Sequence, residues 1–238
     1  MPTLGPKALH LQTLKRAGFP VPDFVAFDSL QITEQSAEEI AGSVRKTLSA
    51  TRFAVRSAAL AEDTASSSMA GQFHTELDTP PERLAQAIET VLNDARVKLG
   101  SLERFSLIVQ DYIDPDFAGV TFTRDPNGGR KTVIEYRHGA GEALVAGEIK
   151  PEHVDWYRKE KPEHAVLPAF AEACALFLEI EDVFEAPQDI EWCVKDEKWF
   201  IVQSRPITTR SERDDQAATY LDEVLPTEIP FLWDQTEI

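Results

Sequence analysis

Cysteine is nearly absent: Cys174 and Cys193 are the only two in 238 residues, too few for a disulfide framework or a cysteine-built metal cage. Basic residues are also scarce. With 24 Lys and Arg against 41 Asp and Glu, the net charge is −17, a field that repels phosphate backbones and disfavours nonspecific nucleic-acid binding. No apolar run approaches the ~20 residues needed to cross a bilayer. The residues after Met1 lack the apolar core of a secretory signal. Repeats, low-complexity tracts, zinc spacing and a nucleophile triad are missing too. These absences lead us to expect a reduced, cytoplasmic protein with no membrane or nucleic-acid partner. A small anion stays compatible, because a local pocket of Lys and Arg reverses the sign.

What is present is a mixture of both periodicities. Helical spacing marks 7–18 (Leu9, Leu11, Leu14, Ala17), 37–48 (Ile40, Val44, Leu48), 82–99 (Leu84, Ile88, Val91, Leu92) and 163–181 (Val166, Phe170, Cys174, Phe177, Leu178). Strand-like runs occupy 53–57, 73–77, 106–113, 118–123, 131–136, 189–194 and 199–204. Asp125, Pro126, Asn127, Gly128 and Gly129 form a strong turn signal. Irregular alternation with hairpins predicts an α+β fold rather than a doubly wound sheet. After Arg210 the chain turns acidic and loses periodicity.

The last two strands invite a register argument. Ile190, Trp192 and Val194 alternate with Asp189, Glu191 and Cys193, and Phe200 and Val202 alternate with Gln203 and Arg205. Residues directly opposite one another share a face. A three-residue loop over 196–198 sets Glu191 opposite Gln203 and Asp189 opposite Arg205, and gathers Ile190, Trp192, Val194, Phe200 and Val202 on the other face. A two-residue turn mixes polar with apolar, so the odd-length loop is expected. The resulting face holds a carboxylate, an amide oxygen and a guanidinium. That set suits a metal-bound polyphosphate, and equally a solvated face with an Arg–Asp pair.

Residues 188–208, QDIEWCVKDEKWFIVQSRPIT, resemble the closing hairpin of the phosphoenolpyruvate synthase and pyruvate phosphate dikinase family, which includes rifampin phosphotransferase-like members. Further blocks follow in the family's order. They are L-G-P-K at 4–7 with A-G-F-P-V-P at 17–22, and F-A-V-R-S at 53–57 with Glu62 and Asp63. M-A-G-Q-F-H-T at 69–75, G-V-T-F-T-R-D-P at 119–126 and E-Y-R-H-G-A-G-E-A-L-V-A-G at 135–147 complete the set.

This resemblance implies a shortened ATP-grasp domain. It would have two α+β subdomains with mainly antiparallel sheets and ATP between them, at 1–118 and 119–210, followed by an acidic tail or linker at 211–238. Lys7 and Arg56 would contact ATP phosphates. Gly71, Gln72 and Thr75 would lie on a loop near 62–75 that covers the triphosphate through backbone N–H groups. Glu135 and its neighbours would meet adenine. Glu191 and Gln203 would hold Mg²⁺, and Arg205 would neutralise charge on the transferred phosphoryl group. The catalytic pair is then Arg56 and Arg205, with ATP and Mg²⁺ as cofactors. The phosphate would pass to a histidine on a swivelling domain, in cis or on a partner subunit, giving AMP and phosphate. His10, His74, His138, His153 and His164 all lack that domain's glycine-rich histidine context. Pro6 departs from the family's second glycine, and His138 and Ala140 replace apolar residues. Two alternatives stay open, a nucleotide-binding regulatory module and an ATP-grasp ligase.

Overall fold

A computed structural model describes residues 4–59, 73–103, 105–139, 151–164 and 166–208. Gly71, Gln72, the segment 140–150 and the tail from 209 lie outside the described residues. The chain divides into two units, Met1–Asp114 with Phe200–Gln203, and Pro115–Trp199 with Ser204–Ile238.

In the first unit, helix α1 (Pro6–Arg16) opens on proline. The first-turn N–H that proline lacks has no intrahelical acceptor, so Pro6 costs the helix nothing there. Strand β1 (Phe24–Phe27) follows, then α2 (Ser29–Glu34) and α3 (Ala37–Thr47). Both helices start on capping boxes, Asp28 with Gln31 and Ser36 with Glu39. Helix α2 was not anticipated, although the D-x-x-Q spelling was available. Next come β2 (Phe53–Ala59), β3 (Glu76–Thr79), a 3₁₀ turn at Pro81–Arg83, α4 (Leu84–Leu99) and β4 (Phe105–Asp111).

The strands form a four-stranded antiparallel sheet in the order β1-β4-β2-β3. One face, with Phe53, Val55, Phe105, Leu107 and Val109, packs on Ile40 and Val44 of α3 and on Ile88, Val91 and Leu92 of α4. Each of those fully buried aliphatic side chains contributes about 1.5–3 kcal/mol of transfer free energy. Helix α1 contacts β2 and buries Ala8, Leu11 and Leu14.

The second unit carries β5 (Phe117–Phe122), β6 (Thr132–His138), β7 (Glu152–Trp156), α5 (Phe170–Phe184), β8 (Gln188–Lys195) and both ends of β9 (Lys198–Pro206), whose Phe200–Gln203 group with the first unit. These strands form a five-stranded sheet in the order β7-β6-β5-β8-β9. The turn between β5 and β6 is the expected one: Asp125 Oδ1 accepts the Asn127 N–H at 2.8 Å, and its carbonyl accepts Gly128 N–H. Ile190, Trp192, Ile134 and Tyr136 share one buried face, and Phe177 of α5 lies 6.3 Å, ring to ring, from Trp192. Strand β7 was not anticipated. The helix expected at 163–181 instead starts at Phe170, because Pro168 precedes it and the Val166 and Leu167 N–H groups donate to His164 Nδ1.

The closing hairpin corrects one expectation. Its loop has two residues, Asp196 and Glu197, not three, and both have positive φ (48° and 61°), as in a type I′ turn. Such turns match strand twist, and that local preference outweighs face polarity at the tip. Trp192 and Trp199 therefore share a face, 4.5 Å apart, and Trp199 and Ile201 are buried where Phe200 and Val202 were expected. Farther along, Arg205 bonds Asp189, Ser204 bonds Gln188, and the Ile207 N–H donates to Pro187 O. These contacts need pairing shifted by one residue, so β9 absorbs an extra residue between Trp199 and Ser204.

Among the described residues no helix is long and apolar enough to cross a membrane.

Candidate functional site

In the first unit, the register pairs Ala54 with Gln110, Arg56 with Ile108 and Ala58 with Ser106. These six residues share the face opposite the apolar core. The start of α1 is pinned to it, since the Gly5 N–H donates to Ser106 Oγ at 2.7 Å. A Cβ on Gly5 would sit 2.2 Å from the Ala58 carbonyl oxygen, so only glycine allows this approach. Half-buried Lys7 lies in the first turn of α1, and half-buried Arg56 lies in β2. Helix start and arginine-bearing strand thus meet along one sheet face. Thr75 is exposed just before β3.

Gln110 was missed by sequence reasoning. It is 1% exposed on the Arg56 face, and its Nε2 has no hydrogen-bond partner among the described residues. The available signal was an amide inside an otherwise apolar run, F-S-L-I-V-Q-D. Next to it, burial and then the nearby Asp23 charge push the Asp111 carboxyl above its ordinary range.

In the second unit, Glu191 pairs with Val120, Val120 with Glu135, and Glu135 with His153. All four stand on the face away from α5, beside the row Asp189, Phe122, Val133 and Asp155. Glu191 and Glu135 are therefore two strand spacings apart, roughly 10 Å. Glu135 Oε1 lies 3.6 Å from His153 Nδ1, and His153 Nε2 lies 2.7 Å from Asp155 Oδ1. Lys131 Nζ reaches Asp155 at 2.9 Å.

The pairing of Asp189 with Arg205 is as expected. Arg205 Nε donates to Asp189 Oδ2 at 2.8 Å, and Nη2 lies 2.7 Å from the same oxygen. Buried Asp189 thus fixes the guanidinium plane at one end of the face. Below it, the Gln188 side chain is saturated: Oε1 accepts Ser204 Oγ–H at 2.8 Å and Nε2 donates to the Ala186 carbonyl. The Gln188 N–H donates to Thr123 Oγ1. Arg158 anchors the far side through two bonds to Glu181, at 2.7 and 2.8 Å, and one to the Thr123 carbonyl. Gln203 is buried on β9, and the two-residue loop by itself sets Glu191 opposite Val202, so the expected pairing of Glu191 with Gln203 does not follow from the turn.

Among the described residues no group of three or more His, Cys, Asp or Glu side chains is placed to hold a metal. Mg²⁺ keeps waters and substrate phosphates in its shell and needs only one or two protein oxygens, so this does not bear on it.

Paired α+β units, each with an antiparallel sheet, define an ATP-grasp fold. Solved structures share it at low identity. PH1788 from Pyrococcus horikoshii Ot3 matches with TM-score 0.53 and 16% identity, over 84% of this chain and 91% of that one. A biotin carboxylase–β-γ-ATP complex from Campylobacter jejuni matches with TM-score 0.51 and 12% identity, over 92% and 43%. The chain belongs to the family described as pyruvate phosphate dikinase, AMP/ATP-binding domain, whose profile matches residues 25–173 and 169–223. Rifampicin phosphotransferase of Streptomyces sviceus is 32% identical over 221 residues, covering 72% of this chain and 26% of the relative. A probable phosphoenolpyruvate synthase of Archaeoglobus fulgidus is 30% identical over 215 residues, covering 71% and 29%. The chain thus spans between a quarter and a third of the length of these two relatives.

Proposed function

We propose that this chain is the nucleotide-binding part of a dikinase-type phosphotransferase that works in the cytoplasm. It takes Mg·ATP and passes one phosphoryl group to a histidine of a swivelling domain, in cis or on a partner subunit. One water is consumed, and AMP, phosphate and phosphohistidine result. The observation that carries the reading is the Asp189-locked Arg205 on the same sheet face as Glu191, in a chain of the dikinase ATP-binding family.

Lys7 binds phosphate as a point charge and Arg56 as a fork of donors, next to the backbone N–H groups of the α1 start. The Gln110 amide supplies a further donor on the Arg56 face. Gly71, Gln72 and Thr75 add backbone N–H donors over the triphosphate, Thr75 adds its hydroxyl as well, and Glu135 reads the base. Glu191 and Gln203 would supply hard oxygens for Mg²⁺, which when bound would draw charge off the phosphates. Arg205, held in a fixed plane, stabilises the charge of the moving phosphoryl group at no reorganisation cost. Because Asp189 is buried beside it, Arg205 keeps its orientation whether or not nucleotide is bound.

The test is AMP formation from ATP after adding a histidine-bearing domain taken from the remainder of a longer relative. Wild type should form AMP, and Glu191→Ala should lower the rate roughly a hundredfold. Equal AMP from both would remove Glu191 from the site. ATP binding with no transfer to any histidine domain would make the chain a nucleotide-binding module.

A further inference from the structure

Asp94, on helix α4 of the first unit, makes contacts that the nucleotide-binding machinery described above does not use. Its Oδ2 accepts the His74 backbone N–H at 2.8 Å, joining α4 to residues 73–75, the stem that leads into β3. Lys98, one turn on, reaches Asp94 at 2.7 Å and stands 5.7 Å over the ring of Phe73. Phe73 itself is buried in the core cluster with Leu84, Ile88 and Val91. His74 Nε2 lies 2.8 Å from Glu76 Oε1, two residues along, as extended backbone requires. The stem is therefore held by a core aromatic, a backbone hydrogen bond and a cation over the ring.

The register shows what this achieves. Val55 of β2 pairs with Glu76 of β3, after a shift between Phe53 and Val55. Carried one residue on, the antiparallel pairing sets Thr75 opposite Arg56. Asp94 grips the residue immediately before Thr75, so it controls whether the stem stays in that register. We propose that Asp94 is a positioning residue that holds Thr75 beside Arg56 for nucleotide phosphate binding, which rests on the reading of Arg56 and Thr75 given under Proposed function. Asp94 touches no substrate and acts through the His74 N–H. Burial pushes its carboxyl up, but the hydrogen bonds from Lys98 and His74 outweigh this and hold it below the usual carboxylate range, so it accepts as an anion at neutral pH.

The test measures Mg·ATP affinity of the full chain by calorimetry for wild type, Asp94→Ala, Asp94→Asn, Lys98→Met and Thr75→Val. Alanine favours a helix, so Asp94→Ala leaves α4 intact and any loss is assigned to the stem. Losing a charge-assisted hydrogen bond that orients one ligating residue is expected to weaken ATP about tenfold in Asp94→Ala. Asp94→Asn keeps an acceptor oxygen, and Lys98→Met leaves the acceptor in place, so both should stay within about threefold of wild type. In the Thr75→Val background, Asp94→Ala should cost little more, because its effect passes through Thr75. Two results overturn the proposal: unchanged ATP affinity in Asp94→Ala, or an equal tenfold loss with and without Thr75. A wild type that binds no ATP overturns instead the nucleotide-binding reading itself. Should Asp94→Ala fail to fold, a tenfold loss in the folded Asp94→Asn protein, despite its retained acceptor, contradicts the proposal in its place.

Discussion

Gly119→Ala tests the packing beneath the candidate metal face most sharply. Gly119 sits in the middle of β5, paired with Tyr136 on one side and Trp192 on the other. A Cβ there would meet Trp192 Cζ2 at 2.4 Å, Cη2 at 2.8 Å and the Glu135 carbonyl oxygen at 2.5 Å. Real Cβ atoms do not approach so closely, so either the indole or β6 must move. Trp192 is 1% exposed, its N–H donates to Thr121 Oγ1 at 2.8 Å, and its ring meets Trp199 at 4.5 Å. Overpacking alone costs about 1–3 kcal/mol. Rotating the indole away forfeits about 1 kcal/mol of hydrogen bond and about 1 kcal/mol of aromatic contact. The expected loss is therefore about 3–5 kcal/mol, or a drop in Tm of roughly 10 °C for a chain of this size. Calorimetric melts check the number. Trp192→Leu combined with Gly119→Ala should cost clearly less than the two single losses added together, since the clash disappears with the ring. A Gly119→Ala melt within about 2 °C of wild type, or strict additivity with Trp192→Leu, would refute the reasoning.

Other expectations concern titration and the hairpin turn. Burial first, then the 2.6 Å bond it donates to Glu152, pushes the Tyr136 hydroxyl up to about 12. Because the folded value lies above the ordinary one near 10, the stabilising contribution is complete below that pH and is lost as pH rises through about 12. Absorbance at 295 nm should show one of the four tyrosines ionising last, a step that vanishes in Tyr136→Phe. Four phenols ionising together in the folded protein would contradict this. Burial likewise pushes the Cys174 thiol up to about 12, so a thiol reagent at pH 8 should leave Cys174 unmodified until the chain unfolds. At the hairpin tip, Glu197 holds φ 61°, so Glu197→Gly should raise stability by about 0.5–1 kcal/mol, visible as a Tm about 2 °C higher. A fall in Tm would mean that the side chain, not the turn geometry, matters there.

Where interactions reach only a few residues, the sequence alone settled the outcome. The capping box of Ser36 and Glu39, the Asx turn at Asp125 and the inward stripe of α4 follow from nearest neighbours and helical period. So does the inward row Ile190, Trp192 and Val194, because side chains alternate in any strand. The ordered blocks from L-G-P-K to S-R-P-I-T carried the family with no structure at all. Tertiary structure decided what depends on register and approach. Asp196 and Glu197 do not spell a two-residue turn, and nothing local told that β9 would absorb an extra residue to bring Arg205 onto Asp189. Gln110 gained meaning only when β4 placed it on the Arg56 face, and Asp94 only when α4 met the stem at His74. The physical reason is range: caps and turns act within about one turn of chain, whereas these pairings close loops of tens of residues, and only the packed core fixes which partners meet.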